Sequence, residues 1–157
     1  VFLRAMSTKE AIKGSCLCGS IKFTATCQPS CFSQCHCTMC RKCVGSASSM
    51  FIAVNKNKLT FHCKDTLKTY RSSKDDKLSA VRGFCGKCGC SLFMDYDGEE
   101  NTSWLMVGAL DTTPLVNNPI QVYIENKVPY FDEMNNTLGA QDPDDLQNFE
   151  WDSGKNV

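Results

Sequence analysis

Twelve cysteines stand in 157 residues, and seven of them fall into three tight groups: Cys16 with Cys18, Cys35 with Cys37 and Cys40, and Cys85 with Cys88. A chain this rich in thiols is either stapled by disulfides in an oxidising compartment or ordered by metal in a reducing one. The spacing decides between the two. Side chains two residues apart on an extended strand point to the same face. A Cys-x-Cys pair on a bent loop therefore chelates one ion, whereas bridging the pair to itself would close a strained ring. The thiols read as metal ligands, and the location as cytoplasmic, with the nucleus as the alternative.

Other features agree. Residues Val1 to Lys13 contain no apolar run long enough for an export signal. Met6-Ser7-Thr8 reads as a natural start, with Val1 to Ala5 ahead of it. No stretch approaches the roughly 18 apolar residues that a membrane span needs. Charge is balanced at 17 basic and 17 acidic residues, without a run of either sign, which argues against nucleic-acid binding and against a polybasic membrane face. The sequons at Asn101-Thr102-Ser103 and Asn135-Asn136-Thr137 are expected to stay unmodified. Oligomeric state leaves no signal in the sequence.

Along the chain, short alternating segments dominate. Ser20 to Thr26 places Ile21, Phe23 and Ala25 on one face of a strand. Ser30 to Gly45 lacks an apolar period and reads as a metal-ordered loop with a short helical turn. Ala47 to Val54 and Leu59 to Cys63 read as strands joined through Asn55-Lys56-Asn57-Lys58 into a hairpin. Further strands are expected at Leu67 to Arg71, Leu78 to Phe84, Ser91 to Tyr96, Ser103 to Leu110 and Ile120 to Glu125, and a loop at Pro114, Asn117, Asn118 and Pro119. This is an all-β pattern. Residues 1–13 are expected as an N-terminal tail, 14–132 as one zinc-binding domain, and 133–157 as a polar segment in which Phe149 and Trp151 are the large apolar residues.

Zinc favours sulfur and nitrogen in a tetrahedron; structural sites use four protein ligands, and reactive ones commonly use three. Cys16-Leu17-Cys18-Gly19 and Cys85-Gly86-Lys87-Cys88-Gly89 are two glycine-ended chelating pairs that together close one structural site. Cys35-His36-Cys37-Thr38-Met39-Cys40 supplies three thiolates to a second ion, with Cys31, Cys43, His36 or an external group at the fourth corner. His36 sits between two ligands, where its ring cannot easily bind the same ion, and is expected beside the metal or the substrate. Arg41 and Lys42 put positive charge next to this site and would attract an anionic substrate. Cys27, Cys31, Cys43 and Cys90 are expected as free thiols, Cys63 as a packing residue closing its strand, and His62 as a strand residue.

The segments Gly14-Ser15-Cys16-Leu17-Cys18-Gly19-Ser20-Ile21-Lys22-Phe23, Cys35-His36-Cys37-x-x-Cys40-Arg41-Lys42 and Phe84-Cys85-x-x-Cys88-Gly89, followed by Gly108-Ala109-Leu110-Asp111, resemble in order the glutathione-dependent formaldehyde-activating enzymes, a group that includes centromere-protein-V-like proteins. The resemblance runs from about Gly14 to Tyr130. It implies an Mss4-like fold of twisted sheets, a structural zinc on Cys16, Cys18, Cys85 and Cys88, and a second zinc with an open position on Cys35, Cys37 and Cys40. The implied reaction is of carbon–sulfur lyase type and joins glutathione to formaldehyde as S-hydroxymethylglutathione. Cys35, Cys37, Cys40 and His36 would be the catalytic groups, and Arg41 and Lys42 would hold the peptide carboxylates. Tyr123 and Tyr130 depart from the histidine and tryptophan common in the family, and Cys43 and Cys90 are additions.

Chemically, three anionic sulfurs neutralise a zinc ion and weaken its Lewis acidity, so delivery of a bound thiol suits the site better than polarisation of a carbonyl. Two rivals remain at this level: the same open site acting on another aldehyde or carbon–sulfur substrate, and a zinc-stabilised protein-interaction module without catalysis.

Overall fold

Alternating apolar residues give eight strands in the computed structural model, which describes residues 10–72, 79–112, 114 and 120–132, with the backbone alone at 10 and 28–31. The strands are β1 (Glu10–Ser15), β2 (Lys22–Cys35), β3 (Ser49–Cys63), β4 (Leu67–Arg71), β5 (Ala80–Cys85), β6 (Ser91–Tyr96), β7 (Thr102–Met106) and β8 (Ile120–Val122). The helix α1 (Thr38–Val44) lies between β2 and β3. One sheet runs in the order β1-β2-β3-β7-β6-β5-β4, every neighbouring pair antiparallel, and β8 adds in parallel to the last residues of β2. The fold is the expected one, a single mainly antiparallel β domain.

The inward faces carry Ile12, Ile21, Phe23, Phe32, Phe51, Ile52, Leu92 and Leu105, all essentially without solvent contact. Phe61 stands between Phe23 and Phe93, with ring centroids 5.7 and 5.9 Å away, so β2, β3 and β6 share one aromatic seam. The sheet also curls onto itself. Gly14 of β1 bridges Leu110, the Asp111 N–H donates to the Lys13 carbonyl at 2.8 Å, and Ser15 Oγ donates to Asp111 Oδ1 at 2.9 Å.

Several sequence expectations need correction. Pairing begins at Glu10, ahead of the boundary expected at Gly14. The hairpin expected at Asn55-Lys56-Asn57-Lys58 is absent, because β3 continues through these residues. Between Ala25 and Cys27 the partner position moves from Leu59 to Val54, so the polar run bulges out of β3. From Cys27 to Phe32 the excess passes to β2, whose partners move only from Val54 to Ile52. Here Asn55 Oδ1 accepts from the Asn57 N–H at 2.8 Å, the Lys56 N–H donates to the Asn101 carbonyl at 2.9 Å, and Lys56 Nζ pairs with Asp95 at 3.0 Å. Turn-forming side chains are thus satisfied within a bulge.

The loop expected from Ser30 is strand up to Cys35, since that end of β2 is held by β3 on one side and β8 on the other. The strands expected to run to Leu110 and Glu125 stop at Met106 and Val122 and pass into 3-10 turns. Cys63, expected as a packing residue, is exposed at the end of β3, beyond Leu59 and Phe61, the residues of its second half that pack against the core. The expected loop residues Asn117, Asn118 and Pro119 and the segment 133–157, with Phe149 and Trp151, lie outside the described residues.

Gly14 marks the closest backbone approach in this curl. A Cβ there would lie 2.1 Å from the Phe23 ring and 2.6 Å from the Ala109 carbonyl oxygen, whereas one at Gly108 would meet nothing within 4 Å. Gly14→Ala is therefore expected to destabilise the domain by about 1–3 kcal/mol, a fall of about 3–10 °C in melting temperature, while Gly108→Ala stays within about 0.5 kcal/mol. Thermal melts of the two variants check this.

Candidate metal centres

Two tight turns at opposite ends of the sheet path carry the first centre. One joins β1 to β2 and holds Cys16 and Cys18; the other joins β5 to β6 and holds Cys85 and Cys88. Gly19 and Gly89 end these turns at φ 72° and 75°, a left-handed conformation that a side chain would strain. Each turn closes alike, the Gly19 N–H on the Cys16 carbonyl and the Gly89 N–H on the Cys85 carbonyl, both at 2.8 Å. Backbone amides then face the sulfurs, from Ile21 to Cys16 Sγ at 3.2 Å and from Lys87 to Cys85 Sγ at 3.4 Å.

The four sulfurs lie within 4.8 Å of one another. Cys16 Sγ is 3.6 Å and Cys85 Sγ 3.9 Å from Cys18 Sγ. A tetrahedral zinc with Zn–S near 2.3 Å sets its ligand sulfurs about 3.8 Å apart, so the donor set fits such an ion in both chemistry and spacing. Hydroxyl groups prepare the thiols for it. Ser20 Oγ, 2.9 Å from Cys18 Sγ, lowers that thiol's pKa, and Thr66 Oγ1, 3.5 Å from Cys85 Sγ, brings Cys85 down to about 5.

The second centre is built where β2 hands over to α1. Cys35 ends the strand, Cys37 caps the helix with its sulfur accepting from the Cys40 N–H at 3.4 Å, and Cys40 is buried in the first turn. Their sulfurs also lie within 4.8 Å of one another, and among the described residues no fourth histidine, cysteine or carboxylate joins them. The thiols are unequal. Hydrogen bonding with Cys40 holds Cys35 down, burial pushes Cys37 up, and the Cys35 sulfur pushes Cys40 far up. Crowding of this kind lets one sulfur ionise readily and resists the next, unless a cation draws the three together. A metal ion fits this donor set.

Other expected site residues fall around the triad. His36 is fully buried: Nε2 pairs with Gln121 Oε1 at 3.0 Å, Nδ1 has no partner, and the ring meets Phe131 edge-on with centroids 5.0 Å apart. It is outside the three-sulfur set. Arg41 and Lys42 lie in the last turn of α1, Lys42 exposed and Arg41 half-buried with Nε unpartnered. Cys43 is also outside the set; its sulfur is 3.8 Å from Ser91 Oγ. The side chain of Cys31 is not among those described.

Beside Cys35 opens a cavity of about 190 Å³, walled among others by Phe51, Met94, Tyr96, Trp104 and Tyr123. Burial pushes the phenols of Tyr96 and Tyr123 up, and the charge of the triad sulfurs adds to it, so both keep their protons.

The chain is similar to known proteins. Residues 11–126 match the sequence profile of the glutathione-dependent formaldehyde-activating enzyme. The chain belongs to this family. An uncharacterized lyase of Schizosaccharomyces pombe is 30% identical over 129 residues, covering 80% of this chain and 87% of its own. A Rhodobacter sphaeroides protein of known crystal structure shares the fold at a TM-score of 0.56 and 18% identity, over 69% of this chain and 97% of its own. Among the described residues, no helix is long and apolar enough to cross a membrane.

Sequence reasoning missed Arg82 on β5. Only 6% exposed, it directs Nη1 and Nη2 at Cys40 Sγ from 3.8 and 3.9 Å. Burial works against its charge, and the sulfurs of Cys40 and Cys43 outweigh that burial. The signal available in the sequence was a lone arginine in an otherwise apolar strand, Ala80-Val81-Arg82-Gly83-Phe84. A buried guanidinium favours ionised sulfur, so Arg82→Met is expected to weaken metal binding at the triad by about tenfold, taking about one pKa unit of thiolate stabilisation as the measure. The four-sulfur site should be unaffected. Chelator competition, read as two resolved metal-release steps, checks this.

Proposed function

We propose that the protein is a zinc enzyme of carbon–sulfur lyase type that joins the thiol of glutathione to formaldehyde or another small aldehyde at the three-sulfur site. One observation carries the reading: three convergent thiols without a fourth donor among the described residues, set beside a cavity. A closed structural site would have four. In this reading Cys16, Cys18, Cys85 and Cys88 hold a structural zinc, and Cys35, Cys37 and Cys40 hold the second.

When bound at the triad, zinc supplies the positive charge that keeps a substrate thiol ionised near neutral pH. Sulfur then adds to the aldehyde carbon, the carbonyl π pair moves to oxygen, and that oxygen takes up the proton released by the thiol. Atoms and charge balance in S-hydroxymethylglutathione.

The chain's own groups arrange this step. Three thiolates, a dication and the Arg82 guanidinium carry no net charge together, which leaves the site suited to an uncharged aldehyde. Tyr96 and Tyr123, protonated, line the space where the carbonyl oxygen would develop charge. Arg41 and Lys42 are the cations proposed to meet the carboxylates of glutathione, and they also suit the C-terminal turn of α1. His36, expected among the catalytic groups, is sealed from solvent and bonded to Gln121. Its proposed part is to fasten β8 against the triad. Ionised thiol ligands of this kind call for a reducing compartment, in keeping with the cytoplasm.

The two centres should respond differently to loss of a ligand. Serine at position 37 can still cap α1, so Cys37→Ser is expected to stay folded, to hold about one zinc per chain instead of two, and to lose adduct formation. Cys85→Ser should unfold, or lose more than about 10 °C in melting temperature. Metal analysis, thermal melts and exchange NMR of glutathione with formaldehyde measure the three effects. Equal behaviour of the variants would overturn the division, and an unchanged exchange rate in Cys37→Ser would overturn the catalytic reading.

A further inference from the structure

The cavity at Cys35 is larger and more apolar than formaldehyde requires. A water molecule occupies about 30 Å³ of liquid, and an apolar cavity of about 150 Å³ admits benzene. Formaldehyde is close to the first in size, and the space here is about 190 Å³. Phe51, Met94, Tyr96, Trp104 and Tyr123 line it together with Cys35, among others. Aromatic walls of this kind favour a flat apolar group through area burial and edge or face contacts.

Charge around the cavity points the same way. Glu99 is the one charged residue among those lining it, and its Oε2 accepts from Trp104 Nε1 at 2.9 Å. Among the described residues no lysine or arginine lines the space, so an acidic substituent would enter against a carboxylate.

Tyr123 adds an independent observation. It is the one described residue other than glycine with positive φ, at 55°, immediately after β8 has paired with the end of β2. A bulky side chain in that conformation is a genuine outlier and is retained where the surroundings impose it, often at ligand sites. In this backbone conformation the Tyr123 ring lines the cavity.

We infer that this cavity receives the apolar substituent of an uncharged aldehyde, with room for a group the size of a benzene ring, and that Tyr123 sets this preference. The inference rests on the thiol–aldehyde reading of the triad. It adds the substrate class: aldehydes with an aromatic or branched apolar group, ahead of formaldehyde.

The test uses the full-length, zinc-loaded chain with Trp151→Phe, which leaves Trp104 as its single tryptophan. S-benzylglutathione and S-methylglutathione stand for the two adducts without their hydroxyl, and benzyl alcohol stands for the apolar group alone. Trp104 fluorescence reports binding. Burying the ring should make the benzyl compound bind about tenfold or more tighter than the methyl one. Tyr123→Gly relieves the strained φ and should keep the melting temperature while reducing this preference about fivefold; Tyr123→Phe keeps the wall and should retain it. Equal affinity for the two glutathione compounds, or a preference unchanged in Tyr123→Gly, overturns the inference and leaves the thiol–aldehyde reading intact. If benzyl alcohol alone quenches Trp104, the cavity assignment stands and glutathione as the thiol falls. If none of the probes binds, the inference is overturned.

Discussion

Four sulfur atoms, drawn from the turn between β1 and β2 and the turn between β5 and β6, meet within 4.8 Å at a point where the sheet would otherwise remain open. These turns belong to opposite ends of the strand order, so their meeting bends the sheet back over its own core. The curl at Gly14 and the aromatic seam of Phe23, Phe61 and Phe93 depend on the same bend. The strands themselves are short, apart from β2 and β3. A metal ion held by these sulfurs would supply the long-range constraint that their local propensity lacks.

With the frame closed, β2 does two jobs. Its beginning pairs with β1 next to the first centre, and its end delivers Cys35 to the second. Matching bulges in β2 and β3 keep the two strands together across this length while changing their direction. The second centre is therefore assembled on strand and helix termini held on several sides: β3 and β8 flank Cys35, α1 carries Cys37 and Cys40, and β5 brings Arg82. Groups placed on such supports keep their geometry better than groups on a free loop.

The sequence made the two cysteine clusters legible because chelation needs particular atoms at short, fixed spacing, and Cys16-Leu17-Cys18 or Cys85-Gly86-Lys87-Cys88 displays that spacing directly. Strands with regular alternation, such as the start of β2 with Phe23, Ala25 and Cys27 buried in turn, were readable for a similar reason. Misreadings arose where a local signal met a tertiary partner. Asn55-Lys56-Asn57-Lys58 has turn chemistry, yet Asp95 and Asn101 satisfy it inside a bulge. Phe32 to Cys35 showed no period, yet two neighbouring strands make it sheet. Arg82, Tyr96 and Trp104 stayed hidden because they come to the triad or its cavity from strands distant in sequence, and no spacing rule links them to it, whereas Tyr123 was marked through the resemblance alone.

Cys37 occupies two roles with one atom. Its sulfur terminates α1 by accepting the Cys40 amide, and the same sulfur belongs to the triad. A helix of seven residues lies well below the length at which an isolated helix persists in water. Order in α1 and occupancy of the triad are thus coupled through one atom. A substitution at this position is read twice, once at the start of the helix and once among the three sulfurs, and a hydroxyl that keeps the first role would part it from the second.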